Sequence, residues 1–310
     1  MKSIVKLLFI GFMLFSVSAN AQSYVFKVLA NKGDNSYKSG GSEWSPLKTG
    51  QSLNSGDELK LSDEAYIGLM HNTGKTLEVK TAGTHSVSSL ASSLKNKNSS
   101  VASKYADFVI NKMTDSGDGS DYRKSLGATG AVDRALASGA TINIMAHSST
   151  DIINSEVVIR WNKPQQEGEV EDLTYELIFS NLFDDVIKTA ETGKTSYMLN
   201  MAEEPFASLD NKFVKVKVTV KGNDLTSDEY AITTKPEDES YELKKTLAEL
   251  RGEVEESTAL DNIVLAAFYE EHDLLLDALT AYERAINIAP DVEMYQQAYT
   301  DFLIRNNFSK

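Results

Sequence analysis

Between Asn262 and Pro290, apolar and small residues recur at the spacing of two packed helices. Leu265, Ala266 and Tyr269 fall on one face of a first helix, and Ala278, Tyr282 and Ala285 on one face of a second. The alanines allow a close approach of the two backbones, the aromatics fill the wider gaps, and Pro290 stops the second helix. No other stretch limits the local fold so tightly, because a strand would scatter these residues over both faces.

This segment resembles a tetratricopeptide repeat, a helix pair with a period of about 34 residues. Asn262 stands where that family usually has Trp, and Ala266 where it usually has Gly. The resemblance implies a partner-binding unit, with Leu260, Ile263, Ala267 and Glu270 on the concave groove. A single repeat cannot bury its own face. The same four residues are therefore open to a second role, holding neighbouring helices. One such helix is expected over Tyr241–Glu256, with Leu243, Leu247, Leu250 and Val254 on one face, and another over Val292–Arg305. Lys235-Pro236-Glu237-Asp238-Glu239 reads as the linker that opens this helical domain, residues 235–310.

The N-terminus reads as a signal peptide over residues 1–21. Lys2 and Lys6 precede the apolar run Leu7–Val17, and Ala19-Asn20-Ala21 offers a cleavage site before Gln22. The run is shorter than the roughly 20 residues of a spanning helix. The chain is thus expected to be exported, to the periplasm or the cell surface. It has no cysteine, which excludes disulfides, a thiol nucleophile and a lipid-modified cysteine anchor. The formal charge of −14 becomes −16 once Lys2 and Lys6 leave, which argues against nucleic acid and anionic lipid as partners.

Residues 22–90 read as a β-module. An apolar strand begins at Val25, and Leu47, Gly50, Leu53, Gly56-Asp57 and Leu59 follow at regular spacing. Gly56-Asp57 is a turn former in which glycine is free to adopt positive φ. Ala65, Ile67 and Leu69 alternate before the hairpin Asn72-Thr73-Gly74-Lys75, and Leu77 and Val79 after it. This block resembles the FecR-like domain, which carries a Gly-x-x-Leu-x-x-Gly-Asp turn before strands joined by a short glycine turn. Residues 91–140 form a helix and connector, with Val101, Tyr105, Phe108, Val109 and Met113 at helical spacing and the helix expected to pack on the β-module.

Residues 141–234 return to short strands. Val157, Ile159 and Trp161 alternate, as do Tyr175, Leu177 and Phe179, and then Val214, Val216, Val218 and Val220 between lysines. The pattern resembles an immunoglobulin-like or fibronectin type III sandwich. The expected fold class is therefore multidomain α+β: a β-rich FecR-like module, an antiparallel β-sandwich and a C-terminal helical hairpin repeat.

Motifs that suggest chemistry fail on spacing. Gly74-Lys75-Thr76 lacks the earlier glycine of a phosphate loop, since Leu69 stands there and Gly68 is one residue too far. Ser45-Pro46-Leu47-Lys48 and Lys48-Thr49-Gly50 share Lys48, unlike the separate elements of a serine β-lactamase. The Asp115–Asp121 loop has no glutamate at the twelfth position of a calcium loop. His71, His85, His147 and His272 are scattered, and none has a second ligand at helical spacing. No catalytic, cofactor-binding or metal-binding residue is assigned. Trp44, beside Pro46, joins the groove residues as a candidate contact for a sugar or a peptide, against the alternative that it packs over the first sheet.

The expected function is a non-enzymatic adaptor or scaffold that joins protein partners in the bacterial cell envelope. Three rivals stay open. One is an exported sensory or regulatory component, as the FecR resemblance implies, another a module that binds cell-wall glycan or polysaccharide through Trp44, and the third an unrecognised hydrolase.

Overall fold

A computed structural model describes residues 24–94, 101–114, 142–164, 173–209, 212–222, 224–254 and 256–308. The expected signal peptide, the Asp115–Asp121 loop and the 122–140 connector lie outside the described residues. The architecture is mixed α+β, with strands up to Thr234 and four consecutive helices after it.

The N-terminal strands build two four-stranded sheets. One runs β4 (Ser52–Leu53), β1 (Phe26–Lys32), β6 (Tyr66–His71), β7 (Thr76–Val79), and the other β3 (Ser45–Pro46), β2 (Ser36–Lys38), β5 (Glu58–Leu61), β8 (Gly83–Ser86). Phe26, Val28, Leu53, Leu59, Leu61, Ile67 and Leu69 close the core between them. A short helix α1 (Val87–Ser93) follows β8 and buries Val87 there. Gly74 takes a φ of 86° in the β6–β7 hairpin, a region glycine enters without Cβ strain. Gly56 does not use that freedom. Its turn is held instead by the buried Asp57 carboxylate, which accepts the Asn54 N–H at 2.7 Å and the Ser39 hydroxyl at 2.6 Å.

The second set of strands forms a five-stranded sheet in the order β12 (Val186–Thr192), β11 (Tyr175–Ser180), β14 (Phe213–Val220), β15 (Tyr230–Thr234), β9 (Ser149–Ile152). It faces a two-stranded sheet of β10 (Glu156–Arg160) and β13 (Ser196–Asn200). Val214, Val216, Val218 and Val220 point inward while the alternate residues of β14 are only half-buried. Trp161 is fully buried and packs edge-on against Tyr175 at 5.3 Å. One pairing departs from the all-antiparallel expectation: β15 and β9 run parallel, because the chain crosses the whole set of strands before returning beside its first one.

The helices are α2 (Val101–Thr114), α3 (Glu237–Arg251), α4 (Ala259–Glu271), α5 (Leu275–Ile288) and α6 (Glu293–Arg305). Helix α3 starts after Pro236 with Glu237, Asp238 and Glu239 in its first turn and Arg251 in its last, charges that match the helix dipole. Every residue of α4 from Ala259 to Tyr269 is buried, the mark of a helix enclosed on all sides. Its Thr258 hydroxyl caps the first turn by accepting the Asp261 N–H at 3.2 Å. The enclosing elements come from the whole chain. Leu29, Ala30, Tyr66 and Met70 approach the helices from the outer face of the first sheet, Ile153 and Val158 from the second set of strands. Helix α2 does touch β1, as expected, but its apolar face is also turned to α3, α4 and α6.

Candidate functional site

The face expected to form a partner groove is spent within the chain. Leu260 packs over Gly68 of β6, where a Cβ would stand 3.4 Å from its Cδ2 atom and 3.2 Å from Ala30. Ile263 and Ala267 lie beneath α2, and with Phe108, Val109, Tyr282, Ala298 and Arg305 they line a void of about 10 Å³. That is near the least space that admits one water, so no ligand enters unless α2 leaves. Glu270 accepts two hydrogen bonds from the Arg305 guanidinium, both at 2.9 Å, and one from the Tyr282 hydroxyl at 3.1 Å. Helix α2 is further fixed by the Ala102 N–H, which donates to the Glu253 carboxylate at 2.9 Å. Tyr105 lies 3.2 Å from His272 Nε2 through its hydroxyl and edge-on to Phe268. Burial, with Glu271 nearby, pushes the Tyr105 hydroxyl up to about 12.

Helix α5 joins the second set of strands through a row of polar side chains. Asp277 accepts the N–H groups of Ile153 and Asn154, both at 3.0 Å, and Thr280 accepts that of Val158 at 2.8 Å. Glu283 pairs with Arg160 through two hydrogen bonds, one of 2.8 Å. These residues sit at i, i+3 and i+6, so one helix face takes up the Val158 N–H of β10, the two N–H groups of the turn before that strand and the Arg160 side chain. Leu276 enters the core between the two sheets beside them. Burial raises the Asp277 carboxyl to about 7, against the opposing pull of its two backbone donors. A carboxyl tuned so far suggests acid–base chemistry, yet this one is 1% exposed and its hydrogen bonds hold an interface.

A second junction joins β6 and β7 to the helices. The Tyr66 and Tyr295 hydroxyls meet at 2.5 Å, and Glu78 accepts the Leu260 N–H at 3.0 Å at the start of α4. Burial works to raise Glu78, but hydrogen bonds from Tyr66 and Leu260 and the Lys80 ammonium outweigh it and hold the carboxyl low. Burial also raises both tyrosine hydroxyls, which keep their protons. Beside this cluster an open cleft of about 270 Å³ is lined by Lys32, Tyr66, Lys80 and Asp291, where Lys32 and Asp291 already pair at 3.2 Å.

The histidines occupy four separate places. His71 contacts Thr73, His85 the Thr81 carbonyl, His147 the Asn306 carbonyl and His272 Tyr105. No group of three His, Asp or Glu side chains suited to a metal occurs among the described residues. No helix among them is long and apolar enough to cross a membrane. Trp44 remains at the surface, 39% exposed, with the Lys38 and Lys60 ammonium groups 5.0 and 6.0 Å from its ring.

Sequence reasoning missed the β11–β12 turn. Leu182 and Phe183 are 64% and 81% exposed there, and Val186 is 60% exposed at the start of β12. The turn is ordered from within: Asn181 Oδ1 accepts the N–H groups of Phe183 at 2.9 Å and Asp185 at 3.0 Å, and Asp184 takes a φ of 69°. Lys215 pairs with Asp184. The edge of β12 itself is guarded, by a bulge opposite Phe179 and Ser180 and by Lys188, which lies over the buried Phe206 ring at 5.1 Å. The available signal was a pair of large apolar residues inside a turn framed by Asn and Asp. No protein-family model matches the chain, and no curated protein matches it either.

Proposed function

We propose that the chain is a non-enzymatic adaptor of the bacterial cell envelope, exported by its N-terminal segment and binding a protein partner. In this reading residues 22–90 are a FecR-like module, residues 141–234 an immunoglobulin- or fibronectin-like sandwich and residues 235–310 a tetratricopeptide-like unit that joins the two. The observation that carries it is the β11–β12 turn, an internally braced loop that holds Phe183 and Leu182 in solvent. Large apolar side chains on a rigid support are the usual anchors of protein interfaces. The helical groove does not serve as the partner surface here, because α2 fills it. The most perturbed carboxyl, Asp277, is spent on holding modules together.

The test is affinity capture from envelope extracts with the full chain and with Phe183→Ser. One defined protein retained by the parent and lost with Phe183→Ser supports the reading. Equal retention by both, or no retained protein, overturns it. Ile263→Arg is not a usable control, since Ile263 is buried beneath α2.

A further inference from the structure

We infer that the outer edge of β13 pairs antiparallel with the same strand of a second copy of this chain, about a two-fold axis at Met198. The register of β13 on β10 determines which backbone groups are free. The Trp161 N–H donates to the Thr195 carbonyl at 3.1 Å and the Met201 N–H to the Ser155 carbonyl at 2.7 Å. Thr195, Tyr197, Leu199 and Met201 therefore turn their N–H and C=O groups toward β10, and Ser196, Met198 and Asn200 turn theirs away from it. The groups that β10 turns away from β13 are satisfied within the chain. The Val158 N–H donates to Thr280 Oγ1 at 2.8 Å, and the Arg160 carbonyl accepts the Met145 N–H at 2.8 Å. On β13 the N–H and C=O groups of Ser196 and Met198 have no partner among the described residues, and the Met198 residue is 48% exposed.

A row of unpaired N–H and C=O groups on an extended strand selects another extended strand. The neighbouring edge, β12, resists such pairing through its bulge and Lys188. β13 carries no charged residue, no proline and no register shift against β10. Its sequence is also complementary to itself. In a pairing centred on Met198, Met198 lies opposite Met198, Ser196 opposite Asn200, and Tyr197 opposite Leu199 of the second copy. Like charges do not meet anywhere along it. The Tyr197–Leu199 pairs extend the apolar inner row, where Leu199 is buried and the Tyr197 ring lies 5.6 Å from that of Phe179. A shift of one residue would set these inward side chains against outward ones, so the pattern fixes the register. The same register brings Lys194, exposed in the β12–β13 turn, close to Glu203 of the second copy, and the two-fold axis repeats this contact. The Glu203 carboxylate accepts the Asn200 amide at 3.2 Å, and neither Glu203 nor Lys194 has an ion-pair partner among the described residues. The β13 edge is a different surface from the β11–β12 turn, and the inference goes beyond the adaptor reading.

The experiment is sedimentation velocity of the full chain from about 1 µM to about 500 µM, the range that reveals a small interface. The expected result is a reversible monomer–dimer equilibrium. Met198→Pro removes an N–H that bonds nothing within the chain, at an edge position where proline is tolerated. It should weaken the dimer about tenfold or more, because the two-fold axis removes two hydrogen bonds at once. Met198→Lys sets two ammonium groups against each other across the axis and should weaken the dimer most at low salt, which decides the matter if the proline variant does not fold. Lys194→Glu and Glu203→Lys should each weaken the dimer, and their combination in one chain should restore it. A monomer over the whole range overturns the inference. A dimer that Met198→Lys leaves intact, or one lost with Phe183→Ser, also overturns it. Capture of a protein partner through Phe183 is measured separately and does not require the dimer, so the two readings fail separately.

Discussion

The Asp277 carboxylate accepts the Ile153 N–H at 3.0 Å, across a separation of 124 residues, and is almost wholly removed from solvent. This bond and its companion to Asn154 tie the central helices to the second set of strands. Its acid is raised by burial to about 7 from an ordinary 3.8.

That shift gives a pH dependence of known sign. Between about pH 4 and 7 the folded chain keeps a proton on Asp277 that the unfolded chain releases, so this group's contribution to stability falls as pH rises. Asp277→Asn keeps one oxygen acceptor and cannot titrate. The melting temperature of the parent, measured relative to Asp277→Asn, should therefore decline across this window, by about 2–4 °C for each kcal/mol lost. Glu78 is shifted the opposite way but is common to both proteins. A parallel pair of pH profiles would remove the argument.

Gly68→Ala should destabilise the chain by about 1–3 kcal/mol in urea unfolding. A Cβ there would meet Ala30 at 3.2 Å, the Tyr295 hydroxyl at 3.3 Å and Leu260 at 3.4 Å, so helices and sheet would have to separate. Gly193→Ala, in open space, serves as the control and should change stability by no more than about 0.5 kcal/mol.

Ile263→Ala should cost about 2–5 kcal/mol, as expected for a large aliphatic side chain lost from a core. A cost below about 0.5 kcal/mol, the range of a surface substitution, would mean that α2 does not cover it.

Tyr105→Ala should cost roughly 3 kcal/mol, through loss of the ring against Phe268 and of the hydroxyl contact to His272. The change should also loosen α2 from the groove and raise binding of an apolar dye. Hydrogen exchange should show faster exchange in both α2 and α4. If only α2 responds, its seating on α4 is wrong.

Much of the local fold was legible in the residues. The alternation Val214, Val216, Val218, Val220 marked a strand wet on one face, and Asn72–Lys75 marked a hairpin, because both depend on neighbours close in sequence. The helix pair before Pro290 was equally readable, with α5 ending at Ile288. Gly56 misled, since the turn it joins is stabilised by Asp57 rather than by positive φ. Trp44 was open to two readings, packing over the first sheet or touching a ligand, and it stands partly exposed, while Leu182 and Phe183 gave no periodic signal and were passed over.

Period and punctuation thus specified which stretches are helix and strand, and which side of each is apolar. They left open what covers each apolar side. Leu260, Ile263 and Ala267 read as a groove because a helix face looks the same whether a partner or the chain itself fills it. That choice depends on packing between residues far apart in the chain, such as Tyr66 with Tyr295, 229 positions away, and Asp277 with Ile153, 124 positions away. Local spacing carries no trace of such pairings, because they depend on complementary shape and on polar groups that find partners only after the modules meet.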